Sequence, residues 1–444
     1  MPSRTGAGNR TASRAAGATR GIPARTAKTA QTAKTAKTAK TGRSAKSRAG
    51  KGNARSTAAA ASKRLGGSAA RGAKRIRYAV VGAGYISQVA MLPAFARASR
   101  NSELVALVSD DDVKRDKLGR KYGARITCGY DGYDRLLQSG DIDALYIGLP
   151  NHLHADFAIR AAGARVHVLC DKPLAVNGRQ CLAIADAVRA SGIKFMVAYR
   201  LHFDAANLAA LELARSGRLG ELRFFSSDFS MQVEEGNIRL RADTGGGTLY
   251  DIGIYCINAA RTLFGAEPEE VVAFSVRGTD ERFRSVDEAT GSLLRFPGAR
   301  LAAFTTSFGA ADTGTYRLVG TKGDLCVDSA YEFKSPIRHE LTVKGRTSSR
   351  SFARRDQFAA EFLYFSDCIL NDEEPEPSAA EGLADVRVIE ALYESARTGR
   401  PVRLAPFDRG REVDLSQKIS RPAGKAPKLV HADDPSPEKG EEGS

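Results

Sequence analysis

The chain has 444 residues, enough for two domains with sizeable cores, and carries 67 Lys and Arg against 51 Asp and Glu, a formal charge of +16. The excess sits at one end: residues 1–77 hold 20 of the basic residues and no acid, which leaves the remainder mildly acidic and excludes a polyanion-binding body. Six scattered cysteines without a C-x-x-C pair exclude a disulfide framework, and no apolar run reaches the length of a membrane span, so the expectation is a cytoplasmic protein with reduced thiols and no membrane partner.

Residues 26–40 repeat the triplet TAK, with one TAQ, inside a stretch of Ala, Gly, Ser, Thr and isolated basic residues. Such a segment buries too little to offset its ordering entropy, and residues 1–75 are predicted to form a disordered basic tail. Its functional reading is a weak, salt-sensitive grip on a polyanion, and its plain reading is a solvated extension.

Residues 76–93, IRYAVVGAGYISQVAMLP, open the folded part. A short apolar strand runs into Gly82-Ala83-Gly84, Ser87 stands at the third position of a dinucleotide fingerprint, and helical apolar spacing follows. Gly82 permits a tight turn, Gly84 lets backbone approach a pyrophosphate, and the helix N-terminus offers unpaired N–H groups. A strand over 104–108 ends in Ser109-Asp110-Asp111-Asp112-Val113-Lys114. Where an NAD site places a ribose-binding acid, Ser109 and Lys114 offer a hydroxyl and an ammonium that suit the 2′-phosphate of NADP, whereas Asp110 argues for NAD.

The strand–helix rhythm continues to residue 198, with strands over 144–147, 165–169 and 194–198, and predicts a doubly wound parallel sheet over 76–198. Two strand ends carry chemistry: Gly148-Leu149-Pro150-Asn151-His152-Leu153-His154 and Cys170-Asp171-Lys172-Pro173. No acid or cysteine stands near the two histidines to complete a metal site. Lys172 is either a surface charge or a group aimed into the site, with Pro173 restricting its backbone.

From Tyr199-Arg200-Leu201-His202 the rhythm changes to helix 205–216, a glycine run Gly245-Gly246-Gly247, and many short strands joined by hairpin-sized turns, so residues 199–410 are predicted as an α+β domain with an open antiparallel sheet closed by helices near 357–371 and 380–398. Asp251 and Tyr255 share a helix face at i, i+4. Alternatively Asp251 is the N3 carboxylate of a capping box begun by Thr248, and Tyr255 a core tyrosine. Residues 411–444 read as a second disordered tail.

Taken together, GAGYISQVAMLPAF, DALYIGLPNHLHADFAIRA, HVLCDKPLA and GGGTLYDIGIYCINAAR resemble successive landmarks of the glucose–fructose oxidoreductase/inositol dehydrogenase/MocA (Gfo/Idh/MocA) family, with the glucose–fructose branch nearest. The resemblance covers about 76–405. It implies an N-terminal Rossmann domain, a C-terminal domain whose open sheet associates subunits into homodimers or homotetramers, a sugar substrate, and NADP with NAD as the alternative. It places Lys172, Asp251 and Tyr255 in the catalytic site. It carries cofactor contacts onto Gly82, Gly84, Tyr85, Ile86, Ser109, Lys114, Leu149, Pro150, Asn151, His154, Asp171, Lys172 and Arg200, and it implies no metal.

The mechanism expected on that basis is hydride transfer between an aldose carbon and the nicotinamide, with Tyr255 as the base. A free tyrosine titrates near 10, and the ammonium of Lys172 would favour the phenolate. Three readings stay open: a tightly held NADP serving two sugars in turn, a freely exchanging sugar or polyol dehydrogenase, and a non-catalytic NADP-sensing or nucleic-acid-associated protein.

Overall fold

The structure, a computed structural model, describes residues 74–436. The basic segment 1–73, with its expected disorder and polyanion grip, lies outside the described residues. No helix among those described is long and apolar enough to cross a membrane.

Six strands form the first sheet: β1 (Ile76–Val81), β2 (Ser102–Val108), β3 (Ile126–Cys128), β4 (Ala144–Ile147), β5 (His167–Asp171) and β6 (Phe195–Ala198), in the order β3-β2-β1-β4-β5-β6. All pairings are parallel. Strands buried on both faces need apolar residues throughout, which is why β1 and β4 read as unbroken runs rather than alternations. The connecting helices are α1 (Leu92–Ala98), α2 (Asp112–Tyr122), α3 (Tyr133–Gln138), α4 (His154–Gly163) and α5 (Gly178–Ser191). Local chemistry sets their ends: Asp111 and Asn177 cap the N-termini of α2 and α5, and Gly123 and Gly192 end them in left-handed conformation. Chain order reverses between β1 and β4, so the crevice at their carboxyl ends is the topological switch point where such sheets bind ligands.

After α6 (Ala205–Arg215) comes the second sheet, opened by β7 (Leu222–Ser230) and separated by α7 (Ile254–Phe264) from β8 (Glu270–Val276), β9 (Ala289–Phe296), β10 (Arg300–Ser307), β11 (Thr313–Gly320), β12 (Gly323–Asp328), β13 (Ile337–Val343) and β14 (Arg346–Phe352). Two helices, α8 (Gln357–Asn371) and α9 (Ala379–Thr398), follow, and the short edge strand β15 (Val402–Arg403) completes the sheet. The order is β14-β13-β12-β11-β7-β10-β9-β8-β15.

The sheet is mostly antiparallel, as expected, with one parallel pair at its centre. β7 and β10 pair in parallel, Leu301 opposite Phe224 and Ser307 opposite Ser230, while β7 pairs antiparallel with β11. Apolar alternation gives the same signal for either direction; the long connection through α7, β8 and β9 is what permits the crossover. β14, RTSSRSF, carries almost no apolar signal because it lies exposed near the sheet edge.

Helix α8, expected to close the second domain, packs on the first sheet instead. Phe362 lies 5.1 Å from Tyr78 and 4.3 Å from Phe95 between ring centroids, and Ser366 hydrogen-bonds the Tyr78 hydroxyl at 2.8 Å. The outer face of the second sheet presents Phe224, Phe274, Val276, Leu293 and Leu301 to solvent.

Residues 411–436, expected as a disordered tail, run as a placed strap with little regular structure. Irregularly spaced anchors explain the difference; among them, Val413 and Gln417 are buried, the Gln417 amide donates to the Glu376 carbonyl and carboxylate, and Pro422 bridges Arg355. Anchors so spaced leave no periodic pattern in the sequence.

Candidate active site

The glycine turn follows β1 directly. Gly82 has φ +92°, and a Cβ there would lie 2.4 Å from the Gly148 carbonyl oxygen, so the close approach of two strand ends requires glycine. A Cβ on Gly84 would meet nothing within 4 Å, so the backbone there faces open space. Ser87 is fully buried and fits only because Gly148 lacks a side chain: a Cβ on Gly148 would stand 2.6 Å from Ser87 Oγ. The helix begins as a π-helical turn, Ser87–Met91, a local widening often found at functional sites. A tight turn, an open backbone position and a helix start in this order fit a dinucleotide pyrophosphate.

At the end of β2, Ser109 is buried and its Oγ accepts from the Asp111 backbone N–H at 3.3 Å. Lys114 Nζ lies 4.0 Å from Asp111 Oδ2, at the mouth of the same strand end. Asp110, whose carboxylate argued against a 2′-phosphate, turns to the next loop and accepts from the Tyr130 N–H at 2.6 Å.

Lys172 stands at the carboxyl end of β5, where its Nζ donates to the Asp251 carbonyl oxygen at 2.7 Å and to Asp251 Oδ1 at 3.1 Å. It lies 4.9 Å from the centroid of the Tyr255 ring, with Arg200 Cζ at 5.1 Å from the same centroid. The first domain's lysine and the second domain's phenol therefore converge. They line one pocket together with Arg200, His202, Asn258 and Tyr316.

Asp251 is not a capping carboxylate. It sits in a π-helical turn, Leu249–Gly253, whose N-cap makes no side-chain hydrogen bond, and its second oxygen accepts from Arg239 Nε at 2.6 Å. Burial pushes the Asp251 carboxyl up, yet Arg239 and Lys172 outweigh it and hold the group well below the usual carboxylate range. For Lys172, burial lowers the pKa, but Asp251, Tyr255 and Asp171 outweigh it and leave it above that of an ordinary lysine. Lys172 is therefore an ammonium at neutral pH, with one of its three N–H bonds left for another acceptor, and Asp251 is a positioning carboxylate.

Arg239 carries no signal of this role in the sequence. The glycine run explains its reach: Gly247 N–H donates to the Arg239 carbonyl at 2.9 Å, and a Cβ on Gly246 would stand 2.4 Å from that oxygen, so the loop folds back and swings Arg239 onto Asp251. Glu361 of α8 was missed altogether. It is buried with neither carboxylate oxygen bonded, and burial, aided by Asp171, pushes its pKa well above the carboxylate range.

The remaining expected contacts divide. Asp171 is at the β5 end, accepting from the Lys172 N–H at 2.8 Å and the Tyr146 hydroxyl at 3.2 Å. Leu149 and Pro150 follow β4, and Asn151 Nδ2 donates to the Gly245 carbonyl at 2.8 Å, tying the two domains. Tyr85 donates its hydroxyl to Asp434 at 2.8 Å, and Ile86 packs into the core beside α1. Two of the expected contacts are bonded within the protein. His154 is fully buried with both ring nitrogens on the Leu149 and Pro173 carbonyls, at 2.9 and 2.8 Å, and so braces the two loops. Arg200 is buried too: its guanidinium is held by Gln357 and the Tyr331 carbonyl and lies over Tyr255, which makes it a wall of the Tyr255 pocket.

Comparison with known proteins identifies the family. Residues 76–199 match the model of an oxidoreductase family with an NAD-binding Rossmann fold, and residues 207–326 match the Gfo/Idh/MocA C-terminal domain. A D-xylose 1-dehydrogenase (NADP(+)) of Haloferax volcanii is 32% identical over 331 residues, covering 74% of this chain and 99% of the relative. The structure of an aldose–aldose oxidoreductase from Caulobacter crescentus superposes with a TM-score of 0.71 at 36% identity, covering 74% of this chain and all of the other. That of a 3-ketoreductase from Actinomadura kijaniata, bound to NADP and TDP-benzene, gives 0.67 at 28% identity over 72% of this chain and 98% of the other. With a Rossmann sheet, a matching C-terminal domain and relatives matched along nearly their whole length, the chain belongs to the Gfo/Idh/MocA family of NAD(P)-dependent oxidoreductases.

Proposed function

We propose that the chain is an NADP-dependent sugar oxidoreductase that acts at the anomeric carbon of an aldose. The observation that carries the reading is the 4.9 Å approach of the Lys172 ammonium to the Tyr255 ring beside the switch-point crevice. When bound, the nicotinamide supplies the hydride acceptor or donor. Gly82, Gly84, Tyr85 and Ile86 would hold the pyrophosphate end of the dinucleotide, Ser109 and Lys114 its 2′-phosphate, and Leu149, Pro150, Asn151 and Asp171 would flank its nicotinamide half. The turning away of Asp110 supports NADP over NAD.

Tyr255 takes the proton of the sugar hydroxyl in the oxidative direction and returns it to the carbonyl oxygen in the reductive one. Lys172 donates its remaining N–H to that oxygen and so fixes its distance to the phenol. Asp251, held between Lys172 and Arg239, keeps the lysine charged and immobile. Likeness to an aldose–aldose oxidoreductase supports a finer version in which NADP stays bound while one aldose is oxidised and a second sugar reduced. The uncovered apolar face of the second sheet supports association of subunits through that sheet.

The test is native mass spectrometry of the purified protein followed by turnover of D-xylose and D-glucose. Co-purified NADP(H), with aldose oxidation that needs a second carbonyl compound, supports the two-sugar version. Oxidation with added NADP alone supports the simple dehydrogenase, and failure to oxidise any aldose with either coenzyme refutes the proposal.

A further inference from the structure

Both family matches end before residue 330, and the strap that follows β15 belongs to neither. Its last described residues do not lie loose on the surface. The Val430 N–H donates to Gln88 Oε1 and the Val430 carbonyl accepts from Gln88 Nε2, both at 2.8 Å. The same Nε2 donates to the carbonyl of Ala83, the middle residue of the glycine turn, at 2.9 Å, and Gln88 itself is buried. One residue on, His431 Nδ1 meets Asp111 Oδ2 at 2.9 Å, at the end of β2 beside Ser109 and Lys114. Asp434 then accepts from the Tyr85 hydroxyl at 2.8 Å and from Lys334 Nζ of the second domain at 2.7 Å. The Pro435 carbonyl accepts from the Glu234 N–H at 3.3 Å, and the Ser436 hydroxyl donates to Asp312 at 3.2 Å.

Within residues 430–436 the chain is thus tied to the glycine turn, to the β2 end and to the opposite domain. That path spans the mouth of the crevice assigned above to a dinucleotide. A plug and a clamp predict different things about the space beneath. The strap leaves the backbone of Gly84 open, with nothing within 4 Å of where a side chain would begin, which favours a clamp over a plug.

We propose that residues 429–436 form a clamp over the bound nicotinamide dinucleotide, which leaves only after the Val430, His431 and Asp434 contacts have opened. The inference rests on the dinucleotide reading of the crevice and adds a rate to it: the clamp slows release of a cofactor that the glycine turn already binds. Asp434 contributes most, since its carboxylate is shared by a phenol and an ammonium from different domains. Burial pushes its pKa up, but Lys334 and Tyr85 outweigh that and hold it below the usual range, so the tie persists at neutral pH.

The experiment compares the full chain, a chain ending at Lys428, and the full-length double variant His431→Ala/Asp434→Ala. Each is loaded with NADPH or NADH and chased with excess oxidised coenzyme, and release is followed by the loss of bound-nicotinamide fluorescence. The clamp predicts release roughly 10- to 100-fold faster in both variants, the scale of losing one or two charge-assisted hydrogen bonds. Unchanged release in the double variant overturns the clamp, as does faster association with unchanged release, the mark of a plug. If the shortened chain fails to fold, the double variant decides. A full-length chain that binds neither coenzyme overturns the dinucleotide reading itself, and the clamp with it.

Discussion

Asp251→Asn is the sharpest single perturbation of the site, because it removes one charge from between two cations and changes the shape of nothing. In the wild-type chain Asp251 faces Lys172 at 3.1 Å and Arg239 at 2.6 Å, with both carboxylate oxygens used. An amide can accept one of those bonds but cannot neutralise either charge. A hydrogen bond to a charged group contributes about 1.5–3 kcal/mol net, and two unit charges at about 4 Å interact by about 4 kcal/mol at an effective dielectric constant near 20. Loss of one such bond and of the common anion is therefore expected to cost about 2–4 kcal/mol of stability, since the two cations are left buried together. Catalysis suffers separately. Without Asp251, burial loses its strongest counterweight, and only the weaker influences of Tyr255 and Asp171 still raise the Lys172 pKa, so the ammonium is lost at a lower pH than in the wild type. The assay is urea unfolding alongside kcat against pH for aldose-dependent NADP reduction. The expected result is a lower unfolding midpoint, kcat reduced about 100-fold, and a basic limb of the pH profile displaced to lower pH, with NADP affinity retained. A variant with wild-type kcat and an unmoved basic limb would refute the role of Asp251 as the anchor of Lys172.

Lys114→Ala is expected to weaken NADPH binding about 10-fold or more while leaving NADH binding unchanged, as read by fluorescence titration; equal losses for both would remove Lys114 from the 2′-phosphate. Glu361→Gln tests a buried acid without partners. Its folded pKa is raised, so above the unfolded pKa the native state holds a proton that the unfolded state has released, and stability falls by about 1.4 kcal/mol per pH unit until the folded pKa is reached. The amide should therefore raise the melting temperature at pH 8 more than at pH 5, and an equal gain at both would refute the assignment. Leu293→Glu on the open sheet face should lower the solution mass measured by light scattering, and a mass equal to wild type would exclude that face as the subunit contact.

What could be read from the sequence was whatever rests on local chemistry. The glycine turn, Lys172 before its proline, and the i, i+4 pair Asp251 and Tyr255 each carry their meaning within a few residues. The first sheet was legible for the same reason, since its strands are apolar throughout. Long-range geometry left no such mark. Arg239 reaches Asp251 only because three glycines fold a loop back, and nothing in the spacing of Arg239 shows that. The bonds of His154 to two loop carbonyls depend on a partner at Pro173, which its local sequence does not show. Those of Arg200 to Gln357 and the Tyr331 carbonyl are as distant in the chain. The parallel pairing of β7 with β10 and the course of residues 411–436 depend on which distant segments meet, which no local pattern records.

Catalysis of this kind depends on Tyr255 acting on the proton of a sugar hydroxyl beside Lys172, and single-turnover hydride transfer in Tyr255→Phe tests that directly. The ring and its contacts with Lys172 and Arg200 survive the change, so only the hydroxyl is lost. With an aldose and NADP supplied in excess, the expected rate of NADPH formation falls by about 10²- to 10⁴-fold, the usual contribution of a positioned acid or base, while the dissociation constant for NADP stays within about twofold of wild type. A hydride-transfer rate equal to that of the wild-type chain would contradict it.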